Sequence, residues 1–170
     1  MTGCAEWYRV PNVAALEGAL TVDPSIENVG WAWWDGTDKP YTGVIHVKHP
    51  KKPQPIGKRL QVLGQHMKNV LLVLSCVNRV IIEQPEFWGG GSVASAGSGS
   101  LGTLTLATGY IAAVVEQMTE AEIVMVPVRA WKGTMSKAVV GSRVERVNGK
   151  IYRDHELDAV GIGFGIAGVL

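Results

Sequence analysis

Ala19-Leu-Thr-Val-Asp23-Pro-Ser25 is the stretch on which the fold turns. An apolar run of strand character ends on a carboxylate, and Pro24, which has no backbone donor, forces a turn immediately after it. The same signature recurs at Val80-Ile-Ile-Glu83. Asp158 in turn opens a strongly apolar tail, Ala159-Val-Gly-Ile-Gly-Phe-Gly-Ile-Ala167. Carboxylates at the ends of core strands and on a core-facing helix are costly to bury unpaired. Their mutual repulsion raises their pKa values unless a cation neutralises them. A pair of divalent cations resolves both problems, and such a pair also clamps the attacking and leaving oxygens of phosphodiester hydrolysis. The three acids therefore point to a metal-dependent nuclease.

Working outward, Leu16–Val22 reads as a first strand, most securely from Ala19, and Val29–Trp34 as a second. Asp35-Gly-Thr-Asp-Lys-Pro40 is a hairpin turn into a third strand over Tyr41–Val47. Lys51-Lys-Pro-Gln-Pro55 is a basic linker. Leu60, Leu63, Met67, Val70, Leu74 and Val77 then recur at helical spacing. Val80–Glu83 is the fourth strand. Gly89–Gly102, nearly all Gly, Ser and Ala, reads as a mobile loop before a helix over Leu104–Met118. Ile123–Val126 is a fifth strand stopped by Pro127, Arg143–Asp154 is polar with a turn at Asn148-Gly149, and a last helix begins near Asp154. Three strands, then helix, strand, helix, strand and helix, predict an α/β fold with a mixed five-stranded sheet flanked by helices.

At 170 residues the chain fits one domain, residues 1–170, with a full core. Its start lacks the order of a signal peptide and no apolar run approaches a membrane span, so a cytoplasmic protein with no membrane partner is expected. Cys4 and Cys76 have no paired spacing and suggest neither zinc nor a disulfide framework. Net charge is only +1, but its distribution is uneven. From Lys39 to Ile82 there are eight Lys and Arg and no acid. A second basic block from Arg129 to Arg153 is interrupted only by Glu145. Segregated positive charge of this kind suits a phosphate backbone.

The element order, with Asp ending strand one, Glu ending strand four and acids on a C-terminal helix, resembles the RNase H-like superfamily. Within it the chain is similar to RuvC-type Holliday junction resolvases of phage or prophage kind. The matching pieces are Val22-Asp-Pro-Ser25 with Gly30-Trp-Ala32, Ile81-Ile-Glu-Gln-Pro85, and His155-Glu-Leu-Asp-Ala-Val160. The resemblance implies strands one and four side by side and parallel. It implies Asp23, Glu83, His155 and Asp158 as catalytic metal ligands, two Mg²⁺ or Mn²⁺ ions per site, and a homodimer that cuts four-way double-stranded DNA junctions. His155 and Asp158, three apart, share a helix face. Many family members carry an acid where this chain has His155, and Asp154 is an alternative occupant of that position. An imidazole suits Mn²⁺ better than Mg²⁺, so His155 is either a ligand or a base toward the attacking water.

Beyond the metal site, Lys132 and Lys137 are candidates to hold the scissile phosphate. Lys51 and Lys52 are candidate backbone contacts. Phe87 and Trp88, just after Glu83, are placed to stack on a base unpaired at the crossover. Either apolar helix, Leu60–Val77 or Leu104–Met118, could form the dimer interface. Gly163-Phe-Gly-Ile-Ala-Gly168 matches the dinucleotide-binding pattern by letter, but no strand precedes it properly, and no phosphate-loop sequence exists, so no nucleotide cofactor is expected. The alternative readings are an RNA/DNA-hybrid or packaging nuclease on the same fold, or a non-catalytic junction-binding module. An actin-like kinase would need about twice this length.

Overall fold

A computed structural model describes residues 12–47, 54–74, 76–86 and 100–170. The strands are β1 (Ala19–Asp23), β2 (Asn28–Trp33), β3 (Tyr41–His46), β4 (Arg79–Gln84) and β5 (Glu122–Pro127). The helices are α1 (Ile56–Val73), α2 (Ser100–Met118), α3 (Val128–Trp131), α4 (Lys137–Asn148) and α5 (Asp154–Ile166). The five strands form one mixed sheet in the order β3-β2-β1-β4-β5. β1, β2 and β3 are an antiparallel meander, and β4 and β5 join parallel to β1 and β4, as the chain order predicts. The expected mixed five-stranded α/β architecture of the RNase H-like fold is the observed one.

The alternation of side chains along each strand decides what each face of the sheet carries. Leu20 and Val22 of β1 and Val80 and Ile82 of β4 enter a core with Leu63, Met67 and Ile111, beneath α1 and α2. Ala19 and Ile81 enter the opposite core with Trp34, Trp131, Val140, Val160 and Phe164, beneath α3, α4 and α5. The sheet is therefore covered on both faces. Asp23 and Glu83 share the parity of Ala19 and Ile81, which sends both toward the α5 side.

Three segments differ from the sequence expectation. Leu16 does not extend β1: Val13–Leu16 is a 3-10 turn, because the Asn12 side chain accepts the Ala14 N–H and captures the backbone locally. α1 ends at Val73, not Val77. Leu74 turns extended, yet Leu74 and Val77 still pack on the core, so the apolar period outlasts the helix. The polar stretch from Arg143 begins inside a twelve-residue helix, α4, with Ser136 as its N-cap and Gly149 as its C-cap. Its anchors are Val140 and Val144, one turn apart and fully buried. Among the described residues no helix is long and apolar enough to cross a membrane.

Candidate metal and active site

β1 and β4 are paired in parallel with Val22 opposite Ile82, so the next residues, Asp23 and Glu83, emerge side by side at the carboxyl ends of the two central strands. The carboxyl edge of a parallel pair is where open α/β sheets place their sites. α5 reaches this corner because Gly30, the β2 partner of Asp23, has no side chain. A Cβ there would overlap the His155 carbonyl. The first turn of α5 thus lies directly on β2, and His155 Nδ1 comes 2.7 Å from Asp23 Oδ2. With Asp23 ionised, Nδ1 carries the proton, which leaves Nε2 as the ring's acceptor when the imidazole is neutral.

A buried polar cluster fixes α5 to the sheet beside the acids. The Thr21 hydroxyl donates to the Ala159 carbonyl at 2.7 Å and accepts the Trp34 indole N–H at 3.0 Å. Thr21 lies two residues before Asp23, and Ala159 directly follows Asp158. One side chain therefore ties together the two elements that carry the acids. Thr21 and Trp34 are both fully buried, so each polar atom needs this partner.

Each carboxylate is held by a donor. Lys137 Nζ lies 2.7 Å from Asp158 Oδ2, and Trp131 Nε1 donates to Glu83 Oε2 at 3.0 Å. Lys137 is 45% exposed while Asp158 is 18% exposed, so the ammonium reaches in from solvent at the start of α4. Desolvation raises the Asp23 pKa above its ordinary value, opposed by the His155 hydrogen bond and reinforced by the negative charge of Asp158. Glu83 is pushed up to about 7, first by desolvation and then by Asp23, with Asp158 adding to the effect and the Trp131 bond and Lys132 acting against it. The hydrogen bond that His155 donates to Asp23 raises the His155 pKa. Three acids on three elements thus repel one another across one corner.

The sequence-expected residues distribute as follows. Asp23, Glu83, His155 and Asp158 come together. Asp154 is exposed, at a positive φ of 43°, and it is His155 that contacts Asp23. Lys132 is half-buried, 5.6 Å over the Trp131 ring, and its charge acts on Glu83. Lys137 is bonded to Asp158. Lys51, Lys52, Phe87 and Trp88 lie outside the described residues. Sequence reasoning missed Trp131, Thr21 and Gly30 as supports of the site. The polar Thr21 inside an apolar strand, at the parity of Asp23, was the one available signal.

Among the described residues, no three His, Cys, Asp or Glu side chains close around a common point that could hold a metal ion. In kind, however, the donors suit one. Carboxylate oxygens with an imidazole are ligands for Mg²⁺ or Mn²⁺, and the raised Glu83 and Asp23 pKa values reflect first desolvation and then neighbouring negative charge, both of which a cation would offset.

No protein-family model matches the chain, and no curated protein matches it in sequence. Solved structures do match in fold. Thermus thermophilus RuvC in complex with Holliday junction substrate superposes with a TM-score of 0.59 at 16% identity, over 86% of this chain and 90% of that one. A second T. thermophilus RuvC structure gives 0.57 at 18%, over 86% and 91%. At these identities the likeness is one of architecture, and the chain has the RNase H-like fold seen in RuvC.

Proposed function

We propose that the chain is a metal-dependent endodeoxyribonuclease that acts on branched DNA and resolves four-way junctions by paired nicks in a homodimer. The observation that carries this reading is the meeting of Asp23, Glu83, Asp158 and His155 at the carboxyl corner of β1 and β4, on the fold of a protein solved with Holliday junction substrate. Mg²⁺ or Mn²⁺, as two ions, would be held by Asp23, Glu83 and Asp158 with His155, and would supply Lewis-acid polarisation of the phosphodiester and activation of the attacking water. The chain's own groups do the rest. Asp23 fixes the His155 tautomer, leaving Nε2 to accept a proton from water or to serve as a ligand. Lys137, which reaches Asp158 from solvent, would supply a positive charge for a phosphate oxygen, and Lys132 a second.

The twofold character of a four-way junction calls for two sites related by a dyad, which a C2 dimer supplies. Of the two helices considered for the interface, α1 offers more exposed apolar surface, with Leu72 at 72% and Val73 at 84%. Phe87 and Trp88 remain candidates for stacking on an unpaired crossover base.

A second reading, junction binding without cleavage, is favoured by two features: the Lys137–Asp158 ion pair fills an acid where a cation is wanted, and the four groups do not close as a ligand set. One assay separates the two. End-labelled four-way junction, Y-fork, nicked duplex, plain duplex and RNA/DNA hybrid are incubated with Mg²⁺ or Mn²⁺. Symmetric nicks in the junction alone support resolution, retention without nicking supports the binding module, and cutting of the hybrid alone moves the substrate to RNA/DNA.

A further inference from the structure

We infer that Trp131 is a positioning residue for the metal site, fixing the rotation of the Glu83 carboxylate through its indole N–H, with Gly161 of α5 making the slot that sets the ring's place. The inference rests on the metal-dependent reading above and adds a residue to it.

β5 pairs with β4 so that Val126 lies opposite Glu83, and α3 begins two residues later, which returns Trp131 to the Glu83 corner. Trp131 is 3% exposed. Its ring edge lies over Gly161, where a Cβ would sit 2.8 Å from Cζ3 and 3.3 Å from Cη2. That same Cβ would be 3.0 Å from Val140 of α4, and the Trp131 backbone crowds Gly165 one turn further along α5. The indole is therefore wedged between α4 and α5 and cannot turn without moving a helix. A buried indole N–H needs an acceptor, and here the acceptor is Glu83 Oε2 at 3.0 Å.

Satisfying the indole would need only some acceptor. This one is a carboxylate crowded by two other acids, Asp23 and Asp158, and the Trp131 bond is its one short contact to a donor among those described. With Oε2 held, the carboxylate plane is set and Oε1 is left for a cation or its water. Partners of this kind, which orient a ligand without touching the ion, cost roughly 10–100-fold in metal affinity when removed. The proposed role makes Gly161 part of the same device: a methyl group there would push the ring, and with it the donor, off Glu83.

Trp131→Phe keeps the packed ring and deletes the donor. In the full chain, free of metal, it should melt within a few degrees of wild type. Mn²⁺ alone, titrated by calorimetry at pH 8, should bind roughly 10–100-fold more weakly to it. Gly161→Ala should weaken Mn²⁺ as well, and the two losses should not add in the double variant, because both act through one bond. In ¹⁵N-labelled wild type, the indole signal that disappears in Trp131→Phe should move on Mg²⁺ addition, while that of Trp34, bonded to Thr21, stays in place. Equal Mn²⁺ affinity in wild type and Trp131→Phe, with junction cleavage intact, overturns the positioning role and leaves the nuclease reading standing. A wild type that binds neither ion and cuts nothing overturns the nuclease reading, and this inference falls with it. If Trp131→Phe fails to fold, the wild-type Trp131 indole signal, assigned by triple-resonance spectra, decides, and its indifference to Mg²⁺ overturns the role.

Discussion

Glu83→Gln should make the metal-free protein more stable at neutral and alkaline pH. Folding takes Glu83 from its ordinary pKa of 4.5 to about 7, a gap worth roughly 3 kcal/mol at 1.36 kcal/mol per pH unit. The sign follows from proton counting. Between 4.5 and about 7 the folded state holds a proton that the unfolded state has released, so stability falls as pH rises through that window and is flat beyond it. Most of that loss, about 2–3 kcal/mol, falls between pH 5 and 8. A neutral amide of the same size removes the desolvated charge and its repulsion with Asp23, and its oxygen can still accept the Trp131 N–H. Urea denaturation of both proteins in EDTA at pH 5, 6, 7 and 8 measures the difference directly. Asp23 and His155, whose pKa values are also raised, weaken both proteins as pH climbs and largely cancel in the comparison. The wild-type-minus-variant gap should widen by about 2–3 kcal/mol from pH 5 to 8, or roughly 5–10 °C in Tm for a chain of this size. Added Mg²⁺ should narrow it by stabilising only the wild type. A gap constant to within about 0.5 kcal/mol over that range, a margin typical of independent surface changes, would refute the crowded, desolvated acid.

Asp23→Asn and Asp158→Asn should each abolish metal-dependent nicking while leaving junction retention in gel shifts nearly unchanged, because affinity comes mainly from Lys and Arg contacts to phosphates; normal nicking by either removes that residue from the site. Thr21→Val should cost about 1–3 kcal/mol by stranding the Trp34 N–H and the Ala159 carbonyl, and its cleavage should fall further than its melting temperature explains, since α5 loses its tie to β1; a Thr21→Ser variant should recover both. Val73→Glu, alone or with Leu72→Glu, should turn a dimer into monomers by sedimentation without lowering thermal stability, as both side chains are exposed; an unchanged dimer would move the interface to α2.

The order of elements and the three acids were legible because they rest on local rules. Alternation over Ala19–Asp23 and Val80–Glu83, a proline after the first acid, and helical spacing in what became α1 and α2 are properties of short windows. The α4 helix escaped because its few anchors, Val140 and Val144, sit among polar residues, and its Asn148-Gly149 end imitates an ordinary turn. Leu74 and Val77 misled in the opposite direction, since burial can continue an apolar period after the helix has stopped. By itself the sequence determined the strand parity that sends Asp23 and Glu83 to one face, and the helix spacing that pairs His155 with Asp158. Only the tertiary structure decided who holds each acid: His155 on Asp23, Lys137 on Asp158 and Trp131 on Glu83. Those partners lie 132, 21 and 48 residues away in the chain. No local period encodes such pairs, because they form only in the packed layers, where Gly30 admits the His155 backbone and Gly161 the Trp131 indole.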